Sequence, residues 1–318
     1  MTSDELLLSN SEMQTFRRCG RKWYLSTYRR LKPRAINMPG SPFSIGNVVH
    51  DSLAAYYDPT VKADPVAFAH GIIDEKRGLN PELGNFQDKE EELIVIMLEG
   101  YLEWLEETGA DQDLQVIGTE TMAEAVLIPG VKLISKLDAP VTRISDGAKM
   151  ALEHKTLKSM TVPLPLLKLD TQLLTEHLVR FLHLQEAGAT AEEAQEACHG
   201  ILYNMLRKVK RTASAKPPFY GREDVPHNIH ELRAHWRHCV SVALEIQNKR
   251  SRLDQGETHH TVCPPSPTRN CTWDCDFFKI CVMADDGSDF EGALHDLYEE
   301  RDPLERYDDA AELEDTVG

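Results

Sequence analysis

The chain has 318 residues, 41% of them hydrophobic, and a formal net charge of −17. That length and apolar content support one large domain with a sizeable core, while no stretch approaches the roughly 18 apolar residues of a membrane span. The opening Met-Thr-Ser-Asp-Glu has neither the basic nor the apolar region of a secretory leader, so a cytoplasmic protein is expected. In a reducing compartment, seven cysteines speak for metal ligation or burial rather than a disulfide framework.

The charge is unevenly placed. Residues 285–318 hold 14 acidic residues and two arginines, an acidic tail whose far end is expected to be disordered. Residues 13–34 carry eight Lys/Arg and no acid, among them Arg17, Arg18, Arg21 and Lys22, interleaved with Phe16, Trp23, Tyr24 and Tyr28. Residues 201–222 carry six more, including Arg207, Lys208, Lys210 and Arg211, around Tyr203, Phe219 and Tyr220. Basic groups neutralise phosphates and aromatic faces stack on unpaired bases, so both stretches are candidate nucleic-acid-binding surfaces. The alternative is a solvated helix face with a few core aromatics.

In chain order, Ser9 or Ser11 is placed to cap a helix running to about Tyr28, ended by a loop at Pro33, Pro39, Gly40 and Pro42. A second helix is predicted over 47–57, and a third over 90–107 with Leu93, Met97, Tyr101 and Trp104 on one stripe. The period then shortens: 114–118, 123–128, 131–141 and 149–154 read as strands separated by Pro129-Gly130 and Asp146-Gly147 turns. Helix returns at 171–187, 192–207 and 230–252, with an extended loop at 212–226. The fold class is α/β, and no linker divides the chain.

Alternation puts Glu153 and Lys155 on one face of their strand and Leu152 and His154 on the other. If the Asp138 and Glu153 strands pair, the two carboxylates converge on a divalent cation, for which magnesium or manganese is the natural choice, with Lys155 beside it. His50 offers a nitrogen ligand from the preceding helix, and Glu120 and Glu124 are auxiliary acids. Glu-x-Lys alone is a weak signal; its combination with the other groups gives it weight. His177 and His183 lie among apolar neighbours and are read as satisfied core or surface histidines. Cys271, Cys275 and Cys281 fall within eleven residues, and Cys19 adds a fourth thiol from the other end of the chain. Four thiolates suit tetrahedral zinc or an iron–sulfur cluster. Cys263, next to His259 and His260, is the runner-up for the fourth position, while Cys198 and Cys239 are read as buried thiols in helices.

Taken together, Gly46-x-x-x-His50, Asp138, Glu153-x-Lys155 and Gln172 resemble the RecB-like branch of the PD-(D/E)XK nuclease superfamily. With Cys19 and the cysteine trio added, the chain is similar to the iron–sulfur exonucleases of that branch: the CRISPR-associated exonuclease family, its phage-encoded relatives and the nuclease domain of AddB. The resemblance covers residues 9 to about 283. It implies a restriction-endonuclease-like core, a central mixed sheet flanked by helices, with the terminal segments joined by the cluster. The nuclease domain would span 1–284, with a helical part at about 9–108, the catalytic core at about 112–190, and a helical part with the cysteines at about 191–284; the tail follows at 285–318. His50, Asp138, Glu153 and the His154 carbonyl would bind the catalytic Mg2+ or Mn2+. Lys155 would be the catalytic lysine, Gln172 would contact substrate or steady the site, and Cys19, Cys271, Cys275 and Cys281 would hold a 4Fe–4S cluster, with zinc as the alternative.

The chain departs from the family pattern at three points. Glu176 replaces the tyrosine of Gln-x-x-x-Tyr, three residues rather than two separate Cys271 from Cys275, and Ser135 and Lys136 stand where glycine is common. The implied activity is metal-dependent DNA hydrolysis at single-stranded ends, 5′ to 3′, in phage DNA processing or recombination. The implied setting is the host cytoplasm, away from membranes, with a homo-oligomer or a recombination protein as partner. The competing reading is a non-catalytic nucleic-acid-binding module with an iron–sulfur or zinc centre. A third, weaker reading is a helicase-linked subunit, whose motor would be a separate chain because no Gly-x-x-x-x-Gly-Lys-Ser/Thr loop occurs in this sequence.

Overall fold

The computed structural model describes residues 5–34, 45–79 and 84–307; the loop expected at Pro39, Gly40 and Pro42 and the tail beyond residue 307 lie outside them. The strands are β1 (Leu6–Ser9), β2 (Leu31–Pro33), β3 (Leu114–Val116), β4 (Thr121–Ile128), β5 (Val131–Leu137), β6 (Ala139–Arg143), β7 (Lys149–Leu157), β8 (Cys198–Arg207), β9 (Tyr220–Pro226) and β10 (Tyr298–Glu300). The longer helices are α1 (Asn10–Arg18), α3 (Ile45–Tyr57), α4 (Pro65–Leu79), α5 (Gly84–Thr108), α7 (Thr171–Glu186), α8 (Ala191–Ala197), α9 (Ile229–Asp254) and α13 (Phe290–Leu297). Single turns complete the set: α2 (Gly20–Trp23), α6 (Leu164–Leu167), α10 (His259–Val262), α11 (Cys271–Asp274) and α12 (Phe278–Cys281). The chain divides into two compact units, one of Met1–Pro39, Val126–Ile134 and Ala234–Asp309, the other of Gly40–Ala125, Ser135–Arg233 and Ala310–Gly318.

The second unit is built on a five-stranded mixed sheet in the order β3-β6-β7-β8-β9, antiparallel throughout except for the parallel β7–β8 pair. One face carries α3, α4 and α5. Of the stripe expected on α5, Met97 and Tyr101 are buried and Leu93 and Trp104 partly so; Ile94, Leu98 and Leu105 are buried beside them, against Val49 and Leu53 of α3 and Val141, Met150, Leu152 and Leu206 of the sheet. Each large side chain buried in this way contributes about 1.5–3 kcal/mol. The other face carries α7, whose His177 bonds the Cys198 carbonyl at 3.0 Å. Asp170 caps α7 by accepting the N–H groups of Gln172 at 2.8 Å and Leu173 at 3.4 Å, which sets Gln172 in the first helical turn.

Three expectations are corrected here. Residues 192–207 are not one helix: α8 ends at Ala197, and Cys198, expected in a helix, begins the central strand β8. A run buried on both faces, from Gly200 to Leu206, has no alternating polar side, so periodicity cannot tell it from a buried helix. Gly200 marks the difference: its φ is +152°, and a Cβ there would come 2.4 Å from the Val225 carbonyl oxygen of β9. The expected loop at 212–226 contains β9, paired with β8 from Tyr220 to Pro226. The strand expected at 131–141 breaks at Asp138: β5 joins β1 and β4 in a separate three-stranded sheet, while β6 pairs with β7.

In the first unit, Ser9 caps α1 by accepting the Glu12 N–H at 3.2 Å, but the helix expected to reach Tyr28 stops at Cys19, which is extended, before α2 and a π-helical turn resume. The acidic segment is folded as far as Tyr307. Phe290, Leu294 and Tyr298 are buried, and β10 pairs antiparallel with β2. Among the described residues, no helix is long and apolar enough to cross a membrane.

Candidate active site

Strand β7 does what its alternation requires. Glu153 and Lys155 face α7, where Gln172 Nε2 donates to Glu153 Oε1 at 2.7 Å and Lys155 Nζ donates to Gln172 Oε1 at 3.0 Å. Lys155 also ion-pairs directly with Glu153. Leu152 and His154 face the helical layer, with the His154 ring stacked on Tyr57 at 5.3 Å. Asp138, in the one-residue gap between β5 and β6, ties two elements together. Its Oδ1 lies 2.7 Å from His50 Nε2 of α3, and its Oδ2 accepts the His154 N–H of β7 at 2.8 Å. Glu120 completes this corner: its N–H donates to the Asp138 carbonyl at 2.9 Å, its Oε1 lies 3.5 Å from His50 Nε2, and Lys136 pairs with its other oxygen. Glu120 is held at φ +51°, a left-handed conformation that costs a non-glycine residue about 1 kcal/mol or more.

His50, Glu120 and Asp138 each offer a donor atom within 4.8 Å of the other two, the one such trio among the described residues. A nitrogen and carboxylate oxygens in this arrangement suit a hard divalent cation. Glu153 stands outside the trio but is 1% exposed, and its Oε2 is buried without a hydrogen-bond partner. Glu176 is the same: 1% exposed, Oε1 accepting from Gln172 Nε2 at 2.9 Å, Oε2 buried and unpartnered. Buried carboxylate oxygens left without a donor are costly. These two face a cluster of like charge, which is what a bound cation relieves.

The electrostatics agree. Burial, followed by the charge of Asp138, pushes Glu153 up to about 8, and burial with the charges of Glu153 and Asp138 holds Glu176 well above the carboxylate range. Burial would raise Asp138 too, but the His50 hydrogen bond and charge bring it down to about 2. Burial opposes charge on His50, yet Asp138 outweighs it and lifts the imidazole to about 11. Lys155 is likewise raised by Glu153 against its own burial and stays charged. Burial drives His154 down to about 3, so it is neutral. Asn204 Nδ2, which can only donate, lies 2.9 Å from His154 Nδ1, so the ring proton sits on Nε2.

Behind β7 a polar network locks that histidine. Arg222 Nε donates to Asn204 Oδ1 at 3.1 Å, Nη1 to Asp111 Oδ1 at 2.8 Å and Nη2 to Tyr101 Oη at 3.0 Å. Tyr57 Oη donates to Asp111 Oδ2 at 2.8 Å. This network orients the His154 ring through Nδ1, although its Nε2 is buried without a hydrogen-bond partner, and so steadies the backbone between Glu153 and Lys155.

Residues 7–282, most of the chain, match the sequence profile of the PD-(D/E)XK nuclease superfamily. The chain belongs to that superfamily. PD-(D/E)XK nucleases use divalent metals, and in this one the His50, Glu120 and Asp138 donors, with the open oxygen of Glu153 nearby, fit such an ion. No curated protein sequence is significantly similar to the chain. Among solved structures, it is similar to a Eubacterium rectale protein whose name proposes an exonuclease, at 12% identity over 88% of each chain with a TM-score of 0.45. At that score the likeness carries no argument.

The four candidate ligand thiols of this PD-(D/E)XK chain, Cys19, Cys271, Cys275 and Cys281, lie in the first unit. Cys19 occupies the break between α1 and α2 and accepts the Ser266 N–H at 3.4 Å; Cys271, at the start of α11, accepts the Thr268 N–H at 3.3 Å. Those Thr268 donors lower the Cys271 thiol, whereas burial raises Cys275 and Cys263. Arg21 is 2% exposed; it donates to the Cys281 carbonyl at 2.9 Å, lies 3.9 Å from its Sγ and pairs with Asp285 at 2.7 Å. Among the described residues, no three sulfurs lie within 4.8 Å of one another. All seven cysteines are free of disulfides, and Cys198, Cys239 and Cys263 are buried.

The basic stretches are partly committed. Arg18 pairs with Asp274 at 2.6 Å, Lys22 donates to the Asp274 carbonyl at 3.3 Å, and Arg29 pairs with Glu291 at 3.0 Å. Arg17 is exposed. In the second unit Arg207 donates to the Lys216 carbonyl at 2.9 Å, Lys210 pairs with Glu92, Arg211 pairs with Glu103 at 2.6 Å, and Lys208 is half-buried at the end of β8. His177 is a satisfied core histidine, 3.2 Å from His227 Nδ1, and His183 bonds the Glu124 carbonyl at 3.3 Å.

Sequence reasoning gave Glu120 only an auxiliary place and treated Glu176 as a departure from pattern. Neither had a local signal strong enough to stand out: one is a turn residue, the other a carboxylate inside an apolar helix face.

Proposed function

We propose that this chain is a Mg2+- or Mn2+-dependent deoxyribonuclease, an exonuclease of the RecB/AddB-like, iron–sulfur type, acting on single-stranded or free DNA ends. The observation that carries the reading is the gathering of His50, Glu120 and Asp138 beside the buried Glu153 and its half-buried partners Lys155 and Gln172, in a member of a nuclease superfamily. His50, Asp138 and Glu153 would hold the ion, with Glu120 and the His154 carbonyl as further donors. A divalent ion bound there supplies Lewis acidity, making water more acidic and offsetting charge on a phosphate. The protein's own part is positioning. Gln172 keeps its amide oxygen toward Lys155 and its amide nitrogen toward Glu153, so the ammonium stays beside the carboxylates, poised to hydrogen-bond a phosphate oxygen or the attacking nucleophile. The 5′ to 3′ polarity and a role in phage DNA processing or recombination follow the resemblance.

Cys19, Cys271, Cys275 and Cys281 are the proposed 4Fe–4S ligands. In support, all four thiols are half-buried, and N–H groups are directed at two of the sulfurs. Arg17, Arg18, Lys22, Arg207, Lys208, Lys210 and Arg211 are the proposed strand-binding cations, with Arg21 given to the cysteine centre. In domain terms, residues 1–284 would form the nuclease with its cysteine centre, and 285–318 the acidic appendage.

The test is digestion of linear DNA with Mg2+ or Mn2+. Glu153→Ala and Lys155→Ala should each lower cleavage by about a thousandfold or more, roughly 4 kcal/mol of transition-state stabilisation, while DNA binding is retained. Unchanged cleavage in both would remove the assignment. Anaerobically purified protein should be brown with broad visible absorption that Cys271→Ser abolishes; a colourless protein containing zinc would replace the cluster.

A further inference from the structure

The segment between the catalytic strand and the Gln172 helix is apolar and in solvent. Leu164, Leu166 and Leu169 are 41%, 56% and 75% exposed, and Pro163 and Pro165 beside them are exposed as well. Three uncovered leucines within six residues are not explained by the core, which takes only Leu167 from this stretch. Nor is the segment loose. Met160 Cε approaches Gly221 of β9, α6 closes with the Lys168 N–H on the Leu164 carbonyl at 3.0 Å, Lys168 pairs with Glu231 at 2.9 Å, and Asp170 caps α7. The backbone is pinned at both ends and presents its leucines outward.

Its position says what they meet. Leu169 precedes Gln172 by three residues, a reach of at most about 11 Å between their Cα atoms, and Lys158 is exposed ahead of the apolar run, whereas Lys168 is already paired with Glu231. A polyanionic strand with apolar base faces matches that combination of one exposed lysine, three uncovered leucines and the adjacent carboxylate–lysine site. We infer that Leu164, Leu166 and Leu169 form the apolar wall of the substrate path, contacting the base faces of the DNA strand whose phosphate lies at the candidate active site. The inference rests on the nuclease reading above and adds a specificity surface to it. Apolar side chains, leucine among them, are known to pack against bases by wedging between base steps.

The experiment compares wild type with the triple variant Leu164→Ser, Leu166→Ser, Leu169→Ser, with calcium replacing magnesium to hold cleavage off. Two fluorescent DNA 12-mers are titrated: a normal strand and one carrying abasic sites at its three terminal positions. The variant should bind the normal strand at least fivefold more weakly and the abasic strand within twofold of wild type, with an unchanged melting temperature because the replaced side chains are exposed. Equal affinities of variant and wild type for the normal strand, or equal weakening on both strands, would overturn the inference. So would loss of a wild-type dimer in the variant on a sizing column, which would make a second copy of the chain the occupant. A wild type that cleaves DNA while the variant behaves identically sinks the leucine wall alone. A wild type that neither binds nor cleaves DNA sinks it together with the nuclease reading.

Discussion

The two units treat charge in opposite ways. In the second, charged groups are buried and unbalanced: Glu153 and Glu176 each keep an oxygen without a partner, and Asp138 serves His50 and the β7 backbone at once. In the first, four of the eight basic groups of residues 17–34 meet exposed acids, in Arg18–Asp274, Arg21–Asp285, Arg29–Glu291 and Lys32–Glu299. The difference teaches where a ligand is needed. Exposed pairs are solvated on both sides and ask for nothing more, whereas buried unmet acceptors raise the free energy of the metal-free fold and are repaid only when a cation or a proton arrives.

The comparison breaks most visibly if ions bind without the trio. By calorimetry with Mn2+, Asp138→Asn should weaken binding by about 100-fold and Glu120→Gln by about tenfold, because the former also releases His50 and the His154 N–H. Equal, small effects would mean that the carboxylates do not share an ion.

A finer test uses pH. Glu153 is raised from 4.5 to about 8 in the fold, so the folded state keeps a proton that the unfolded chain loses. Its contribution is therefore complete below about 4.5 and lost as pH rises to about 8. In metal-free protein, the melting temperature of Glu153→Gln should climb relative to wild type across that window and level off above it. Mg2+ should then restore the wild type and leave the variant behind. A pH-independent difference would deny that the carboxyl is protonated in the metal-free fold.

The smallest effect belongs to the first unit. Glu291→Gln removes an ion pair whose acid is 65% exposed, so it should cost at most about 1 kcal/mol and fade as salt is raised. A loss of several kcal/mol, measured by urea unfolding, would show that this surface is held by charge after all.

Much of the architecture was legible along the chain. The Ser9 cap, the α5 stripe and the facing of Glu153 with Lys155 away from His154 follow from residues three, four or two positions apart. The order of imidazole, carboxylates and amine pointed to a metal-assisted site for the same reason, since each residue type carries its chemistry with it. Other features escaped. An apolar strand buried on both faces looks like a buried helix, which is why β8 was missed. The break at Asp138 depends on which sheet each half of the strand joins.

What the amino-acid order determined by itself was local: period, capping, residue chemistry and membership of a nuclease superfamily. The tertiary structure alone decided that Glu120 stands with His50 and Asp138, that Glu176 backs Gln172, and that the acidic residues 274–299 meet the basic ones of 18–32. Those outcomes turn on burial and Coulomb interactions between groups far apart in the chain, and no short-range pattern encodes which distant charge a buried oxygen will face.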